Sequence, residues 1–455
     1  MKYLSPRTAF SLSLFAVFSA AAHGSSLPAA QNASSASPAS LDVPRPAPKA
    51  VYNVRDYGAV GDGKTKDTQA FQKALDTCAV NGGGEVDVPA GEYLIGSIQL
   101  GAHTLLHLEK DTLLTGSPDL DDYPLMDIRW EGRREQGHRS LIYAAEVEDV
   151  GIIGPGAIRG DNGVAASNTE PRGALIIEPI DCRGVRIEGL GVTQGGNNWA
   201  VHPTYCTDVL IKNINLYGRR DGLDIDSCKN VLITGCNLDT GDDSISLKSG
   251  RGMDGARLGR PVEDVLITHC TLRDRTFACL GIGSEISGGV RNVRVEHCQL
   301  SAPSAQAIYL KTRIGRAGVT ENLSCDDLDI LAGDFLRLNL TRGGNTNTAD
   351  DPVPGAIGYP QARNLSFTNI RVAGRALVTA TDISALAPLT GLTLANITGT
   401  CAKGITLANM SGVEIKNINV TGFTGPLLSL VNVTGAGLDG AAAIPAPVDP
   451  APVSR

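Results

Sequence analysis

A repeated apolar pattern is the sequence feature that most constrains how this chain can fold. Each copy approximates Val-Leu-Ile followed, after four residues of any type, by Leu. Clear copies begin at Val209, Val231, Val265 and Val293, and weaker copies begin at Val185, Leu323, Leu365, Leu392 and Val413. Each copy predicts short strands joined by a turn, and strand repeats without intervening helices are typical of solenoids. The pattern therefore predicts an all-β fold, a right-handed single-stranded parallel β-helix.

Composition and one helical segment fit this architecture. The 455 residues include 53 glycines and only 4% aromatic residues, which suits many tight turns around an aliphatic core. Helical periodicity is clear at 67–78, where apolar residues fall on one face, and the glycines at 82–84 follow it. Because a solenoid needs a cover over its open apolar end, we expect this segment to be an N-terminal capping helix.

Cysteines recur at one point of the repeat, at Cys236, Cys270 and Cys298. Stacking of these residues inside the solenoid explains the recurrence better than a metal site, because the sequence contains no CxxC pair. The pairing of the ten cysteines cannot be assigned from the sequence. We expect neither a metal nor another cofactor.

The N-terminus has the features of an export signal. Lys2 and Arg7 precede an apolar run at 9–18, and alanines at 20–22 offer a cleavage site. We therefore predict a signal peptide at 1–22, an exported protein that is periplasmic or extracellular, and no membrane span. The Ala, Ser and Pro content predicts a disordered linker at 23–48 and a disordered tail at 436–455. The catalytic β-helix domain is predicted at 49–435.

Two acidic clusters lie about one repeat apart. Asp221 belongs to the first cluster, and Asp242 and Asp243 form the second. If each repeat is one turn of a solenoid, these carboxylates lie on neighbouring strands, which are roughly 4.8 Å apart. Crowded carboxyl groups have divergent pKa values, as acid and base catalysis on a sugar bond requires. The three aspartates are therefore the candidate catalytic residues.

Several motifs, taken in chain order on this repeat, resemble the polygalacturonase family of pectin-degrading enzymes, glycoside hydrolase family 28. Asp221 resembles the Asp of the family's Asn-Thr-Asp motif, and Asp242 and Asp243 resemble its Asp-Asp pair. Three further segments resemble family sequence, at 51–63, 283–289 and 308–312. The chain departs from the family where Arg219 and Arg220 replace Asn-Thr, Ala278 replaces a histidine, and Tyr309 replaces an arginine.

The resemblance implies an inverting glycoside hydrolase that cleaves a pectin-like polymer containing uronic acid, a galacturonan or rhamnogalacturonan. Asp242 would be the general acid, and Asp221 and Asp243 would hold and deprotonate the water. Inverting carboxyl pairs lie roughly 6.5–9.5 Å apart to admit that water. The partner is expected to be an anionic polysaccharide or oligosaccharide, and the protein is expected to be a monomer.

Substrate binding is predicted at six further positions. Lys311 matches a family residue that binds the uronate carboxylate, and Arg313 would replace the missing arginine two residues further on the same face. Tyr309 would stack on a sugar or donate a hydrogen bond to it. Glu285 would bind a sugar hydroxyl or order a turn, and His202 would line the cleft or be structural. Lys248 lies on the same run of repeats as the aspartates.

The mode of action and two other function classes stay open at this stage. The polar insertion at 126–140 resembles segments that close one end of the cleft in exo-acting members, which favours exo-action over an ordinary surface loop. A β-helix polysaccharide lyase would instead use acidic residues with Arg219 and Arg220. A non-catalytic carbohydrate-binding β-helix is the other alternative. Nucleic-acid binding is disfavoured, because the net charge is −8 and no recognised motif is present.

Overall fold

The fold is a parallel solenoid of short strands. The computed structural model describes residues 38–42, 50–160, 171–195, 199–344 and 351–450. Almost all of the regular structure in them is β-strand; most strands join into one 25-stranded parallel sheet that continues from turn to turn, and the others form separate sheets of three and of two strands. This confirms the predicted right-handed parallel β-helix. The predicted signal peptide at 1–22 lies outside the described residues.

The first part of the described chain contains the strands β1 to β15 and the longer of two helices. The helix is α1 (Thr68–Val80). The strands are β1 (Val51–Asn53), β2 (Asp62–Lys66), β3 (Gly84–Val88), β4 (Gly91–Ile95), β5 (Ile98–Gln99), β6 (Thr104–Leu108), β7 (Thr112–Gly116), β8 (Leu125–Trp130), β9 (Arg133–His138), β10 (Ile142–Ala145), β11 (Glu148–Ile153), β12 (Ala157–Gly160), β13 (Ile177–Ile180), β14 (Arg183–Glu188) and β15 (Gly191–Gln194).

The second part continues with shorter and then much longer strands. The second helix is α2 (Gly252–Leu258). The strands are β16 (Thr207–Lys212), β17 (Asn215–Tyr217), β18 (Leu223–Asp226), β19 (Lys229–Thr234), β20 (Asn237–Thr240), β21 (Ile245–Lys248), β22 (Val262–Thr268), β23 (Thr271–Asp274), β24 (Ala278–Gly283), β25 (Val290–Lys311), β26 (Val319–Asn339), β27 (Gln361–Asp382), β28 (Leu389–Thr421), β29 (Leu428–Ala436) and β30 (Ala442–Ala443).

The sequence repeat sets the register of the solenoid. The first residue of one copy pairs with the first residue of the next, from Val185 through Val209, Val231, Val265, Val293, Leu323 and Leu365 to Leu392. Alternate residues of these strands point into a continuous aliphatic core, because side chains alternate between the two faces of a strand. Each copy therefore forms one turn, and outward positions of successive turns form rows.

The cysteines lie in this core as free thiols. All ten are buried and none forms a disulfide. Cys270 and Cys298 stack on neighbouring turns, where the Cys270 N–H group lies 3.4 Å from the Cys298 sulfur. This confirms the predicted stacking of cysteines inside the solenoid.

Helix α1 confirms the predicted helical segment. Its apolar face buries Ala70, Phe71, Ala74, Leu75 and Cys78 against the first strands. Its role as an end cap stays a prediction. No helix in the described ranges is long and apolar enough to cross a membrane.

The two segments predicted to be disordered have described parts. Residues 38–41 form a short 3-10 helix, and Leu41 packs against Leu210, Leu232 and Leu266. In the tail, β30 pairs with β29. The domain boundaries at 23–48, 49–435 and 436–455 stay predictions.

Candidate active site

The three aspartates meet at the entry of two stacked strands. Asp221 precedes β18, and Asp242 and Asp243 precede β21, which pairs with β18 in parallel. The Gly222 N–H group donates to the Asp243 carbonyl at 3.0 Å, so Asp221 lies level with Asp243. One carboxylate oxygen of each aspartate lies within 4.8 Å of the others, and all three residues are buried. The predicted clustering on neighbouring turns is therefore observed.

Two buried lysines balance two of these carboxylates. Lys248 Nζ lies 3.3 Å from Asp221, and Lys311 Nζ lies 2.6 Å from Asp243 Oδ2. Both lysine side chains are at most 11% exposed. Burial disfavours the Lys311 cation, but Asp243 and Asp242 raise its pKa above the ordinary value. The site thus holds two fixed cations beneath its acidic cluster, which opposes the binding of a further cation there.

Asp242 differs from the other two aspartates because none of the lysines in the described residues pairs with it. Its Oδ2 lies 3.1 Å from Arg220 Nη1, and its Oδ1 accepts the Asp243 N–H group at 3.0 Å. Burial, together with Asp221 and Asp243, raises the pKa of Asp242 to about 7, against the opposing effect of Lys311 and Arg220. Asp242 can therefore carry a proton near neutral pH, which is the property that a general acid needs.

A glycine makes room for the Asp243 carboxylate. Gly281 on β24 lies level with Ser246 and Tyr309 in an outward row. A Cβ atom at this position would lie 2.2 Å from Asp243 Oδ2, closer than non-bonded atoms allow. The sequence alone does not reveal the role of Gly281, because that role depends on contact between adjacent turns of the solenoid.

The structure places His202 inside the protein, not in the cleft. Its side chain is fully buried, and its ring nitrogens face Glu178 Oε1 at 3.3 Å and Thr204 Oγ1 at 3.2 Å. Burial alone would lower its pKa, but Asp226 and Glu178 raise it to about 9. Of the two alternatives, the structural one therefore describes His202. Its neighbour Trp199 is also buried.

Glu285 is likewise a structural residue. It is 3% exposed, accepts the Ser284 hydroxyl at 2.7 Å and lies 3.3 Å from Arg316 Nη1. Burial opposes its ionisation, but Lys248 and Arg316 lower its pKa to about 2. Of the two alternatives, ordering of the turn fits this buried anion, because no face of it is open to a sugar.

Tyr309 and Arg313 differ in what they offer a ligand. Tyr309 is half-buried in the outward row, and its ring lies 5.7 Å from Lys311 Nζ and 5.5 Å from the Arg337 guanidinium. Arg313 instead donates to the carbonyl oxygens of Gly343 and Gly344. Arg337 lies one turn beyond Tyr309 in the same row. It is therefore better placed than Arg313 to contact a ligand beside Tyr309. Arg337 lies outside every recognised motif, so the sequence alone does not indicate it.

Phe277 and Asp274 were also missed. Where the family histidine is absent, Ala278 is fully buried and the neighbouring Phe277 is 42% exposed. The Phe277 ring lies 5.4 Å from Lys311 Nζ, so an aromatic face borders the acidic cluster. Asp274 is buried, accepts two backbone N–H groups and has a pKa raised by burial to about 7.

The predicted insertion at 126–140 is an antiparallel hairpin formed by β8 and β9. Trp130 stacks on Trp199 with ring centroids 4.2 Å apart, and Lys248 Nζ lies 3.7 Å from the Trp199 centroid. Arg129 pairs with buried Asp226 at 2.7 Å. The hairpin therefore docks beside the lysine that balances Asp221.

The solenoid and its cluster of buried aspartates fit a carbohydrate-cleaving enzyme, and comparison with known proteins shows the class directly. The family model for glycosyl hydrolases family 28 matches residues 78–330, more than half of the chain. The chain belongs to glycosyl hydrolases family 28 and is a glycoside hydrolase.

Individual relatives agree with this membership. A "Probable polygalacturonase" of Vitis vinifera is 30% identical over 373 residues, which cover 75% of this chain and 73% of that protein. An exo-poly-alpha-D-galacturonosidase of Dickeya chrysanthemi is 25% identical over 54% of this chain and 50% of its own length. The crystal structure of an exopolygalacturonase from Thermotoga maritima aligns with a TM-score of 0.73 and 26% identity, and covers 83% of this chain and 93% of that chain.

Proposed function

We propose that this protein hydrolyses a polymer or oligomer of galacturonate and removes sugar units from the chain end. The relatives named above support this substrate, since the Dickeya and Thermotoga proteins are described as acting on polygalacturonate from its end. The observation that carries the proposal is the contrast between Asp242 and its neighbours. Asp221 and Asp243 each face a buried lysine, whereas Asp242 has a pKa of about 7.

In the proposed mechanism, Asp242 protonates the oxygen of the departing sugar. Asp221 and Asp243, held beside Lys248 and Lys311, bind the water and take its proton. The roles are assigned from the ion pairs: the acid must carry a proton before the bond breaks and the base must not, and Lys311 opposes the rise that burial causes in the pKa of Asp243. Tyr309, Phe277 and Arg337 would contact the sugar rings or their carboxylates at the rim.

The stereochemical outcome needs a direct test. The nearest carboxylate oxygens of the three aspartates lie within 4.8 Å of one another. This separation is smaller than the roughly 6.5–9.5 Å expected for an inverting pair and resembles the spacing in retaining enzymes. We propose inversion because two anions, rather than one, are available to hold the attacking water. Proton NMR of the first product will show the inverted anomer if this is right. Initial release of the retained anomer would instead assign a nucleophilic role to one of the aspartates.

The hairpin supports exo-action. It is packed by the Trp130–Trp199 stack and the Arg129–Asp226 ion pair, so it is a fixed wall and not a loose surface loop. A wall beside the catalytic residues limits how far a polymer can extend past them in one direction. We expect mainly monomer or one short oligomer as the early product, resolved by chromatography.

The decisive experiment compares the wild-type protein with Asp242→Asn and the control Asp239→Asn. Asp239 lies three residues earlier and its side chain is 40% exposed. On galacturonan, wild type and D239N should release reducing ends without unsaturated sugar. Activity of D242N should fall roughly a thousandfold, because a general acid contributes about 10²–10⁴ in rate.

Other results of that comparison would redirect the proposal. Unsaturated products, seen by ultraviolet absorbance, would make the protein a lyase. Binding of pectic glycans without any cleavage would favour the non-catalytic alternative. Equal activity of D242N and D239N would remove Asp242 from the acid role.

Export, location and assembly remain proposals that need their own measurements. We propose a periplasmic or extracellular monomer, on the basis of the basic and apolar N-terminal pattern. Fractionation of the producing cells, mass spectrometry of the mature N-terminus and light scattering test these three points. An uncleaved N-terminus in the cytoplasmic fraction would contradict export.

A further inference from the structure

The loop that carries Arg220 is held firmly in place. Gln194 Oε1 accepts the N–H groups of both Arg219 and Arg220 at 2.7 Å. Gly241 packs closely beneath the loop, where a Cβ atom would lie 2.3 Å from the Arg219 carbonyl oxygen. The backbone of Arg220 is therefore fixed relative to the acidic cluster, and any movement belongs to its side chain.

The side chain of Arg220 lies between the acidic cluster and solvent. Its Nη1 is 3.1 Å from Asp242 Oδ2, and 37% of the side chain is exposed, compared with 12% for Asp242. In the described structure its Nε is buried without a hydrogen-bond partner. The guanidinium thus pairs with Asp242 and keeps one donor that the described residues leave unused.

Arg220 is the cation of this cluster that can change partners. Lys248 and Lys311 are 5% and 11% exposed; Lys248 is enclosed between Asp224 and Asp221, and Lys311 is enclosed with Asp243. A planar guanidinium binds a carboxylate through two parallel hydrogen bonds, which a lysine cannot do. An anionic sugar that enters the cleft presents such a carboxylate to the exposed cation first.

We propose that Arg220 binds a carboxylate of the uronate substrate and leaves Asp242 as it does so, which prepares Asp242 to take up the proton that it later donates. This inference rests on the proposed function, and it gives the site a specificity residue at a position where the family sequence has Thr.

The direction of the effect follows from the charges that face Asp242. Asp221 and Asp243 favour its protonated form, whereas Lys311 and Arg220 favour its ionised form. Transfer of Arg220 to the substrate removes one of the two opposing cations, so the pKa of Asp242 rises when substrate binds. Binding of an anionic sugar is therefore coupled to uptake of a proton from solvent.

The kinetic test uses Arg220→Gln, the conservative variant Arg220→Lys and the matched control Arg219→Gln. Arg219 is exposed on the same loop. For oligogalacturonate, R220Q should raise KM about tenfold or more, because a charged hydrogen-bonded pair is lost. The basic limb of its kcat/KM profile should move to higher pH. R220K should recover part of both effects, and R219Q should show neither. With methyl-esterified oligomer, R220Q should show the KM of wild type, while the shift of its basic limb should remain, because that limb reports the free enzyme.

An equal loss on the acid and the ester, or R220Q kinetics that match R219Q, would overturn the inference. A second measurement separates it from the proposed hydrolysis. Calorimetry with galacturonate, which has no glycosidic bond to cleave, should detect binding to wild type and R219Q but at least tenfold weaker binding to R220Q. Equal binding by all three proteins, or no binding by wild type, would overturn the inference even if hydrolysis is confirmed.

Discussion

At the scale of single residues, the site depends on giving three chemically identical aspartates different cationic partners. Asp221 and Asp243 are each placed against a buried lysine, and Asp242 is left with a half-exposed arginine. The difference arises from the register of two strands, not from the residue type. Two predictions follow from the position of Asp242 and from the space around Asp243.

The pH profile should report the Asp242 carboxyl. Burial raises its pKa to about 7, and a general acid acts only when protonated, so activity should be lost as pH rises. We expect kcat/KM to fall about tenfold per pH unit above the point where Asp242 ionises, close to neutrality. Stopped assays from pH 4 to 9 on one substrate measure this limb. A flat profile to pH 9 would assign the acid role to another group.

Gly281→Ala should damage catalysis while the protein stays folded. The new methyl group would lie 2.2 Å from Asp243 Oδ2 and must push the carboxylate away. Since misplacement of a reacting group by about 1 Å costs on the order of a hundredfold, we expect a loss of that size in kcat. Gly191→Ala is the control, because its nearest new contact is an ordinary 3.5 Å. Equal activity of the two variants would show that the position of Asp243 tolerates change.

At the scale of elements, the strand repeat was enough to predict most of the fold and part of the site. Val209, Val231 and Val265 predicted the register, and that register brings Asp221 level with Asp243. The same pattern could not locate Gly281 or Arg337, since their neighbours are set by loops of unequal length between turns. It also could not decide between cleft and core for His202, because burial depends on the hairpin and on Trp199.

The hairpin formed by β8 and β9 gives a prediction at this scale. Trp130→Ala removes the stack on Trp199 and loosens the wall beside the site. Truncation of a buried Trp typically lowers the free energy of unfolding by about 3–5 kcal/mol. Local opening of the hairpin would make the measured loss smaller. We expect longer products to join the monomer among the early products. Leu125→Ala, at an exposed position on the same hairpin, is the control. An unchanged product pattern in W130A would separate the hairpin from exo-action.

At the scale of the whole molecule, the solenoid brings its reactive groups together only by burying charged side chains. Glu178, His202 and Asp224 lie level with one another on successive turns, and Lys248 belongs to a neighbouring row. All four side chains are buried. A buried ion pair that loses one partner is strongly destabilising, because the other charge is left uncompensated. Stability therefore depends on protonation states in the same region of the solenoid as the active site.

His202 makes this dependence measurable. Its folded pKa of about 9 lies above the ordinary 6.5, so its contribution to stability is complete below pH 6.5 and is lost as pH rises through 9. A difference of this size corresponds to roughly 3 kcal/mol. Between pH 6.5 and 9, the free energy of unfolding of wild type, measured in denaturant, should fall by about that amount more than the value for His202→Gln. His202→Gln should lack this component, while the exposed control His269→Gln should retain it. Asp242, Asp274 and the buried cysteines also destabilise the fold as pH rises, but they are present in all three proteins and cancel in the difference. If the curves of H202Q and wild type stay parallel across this range, His202 is neutral in the folded protein and the row is not held together by its charge.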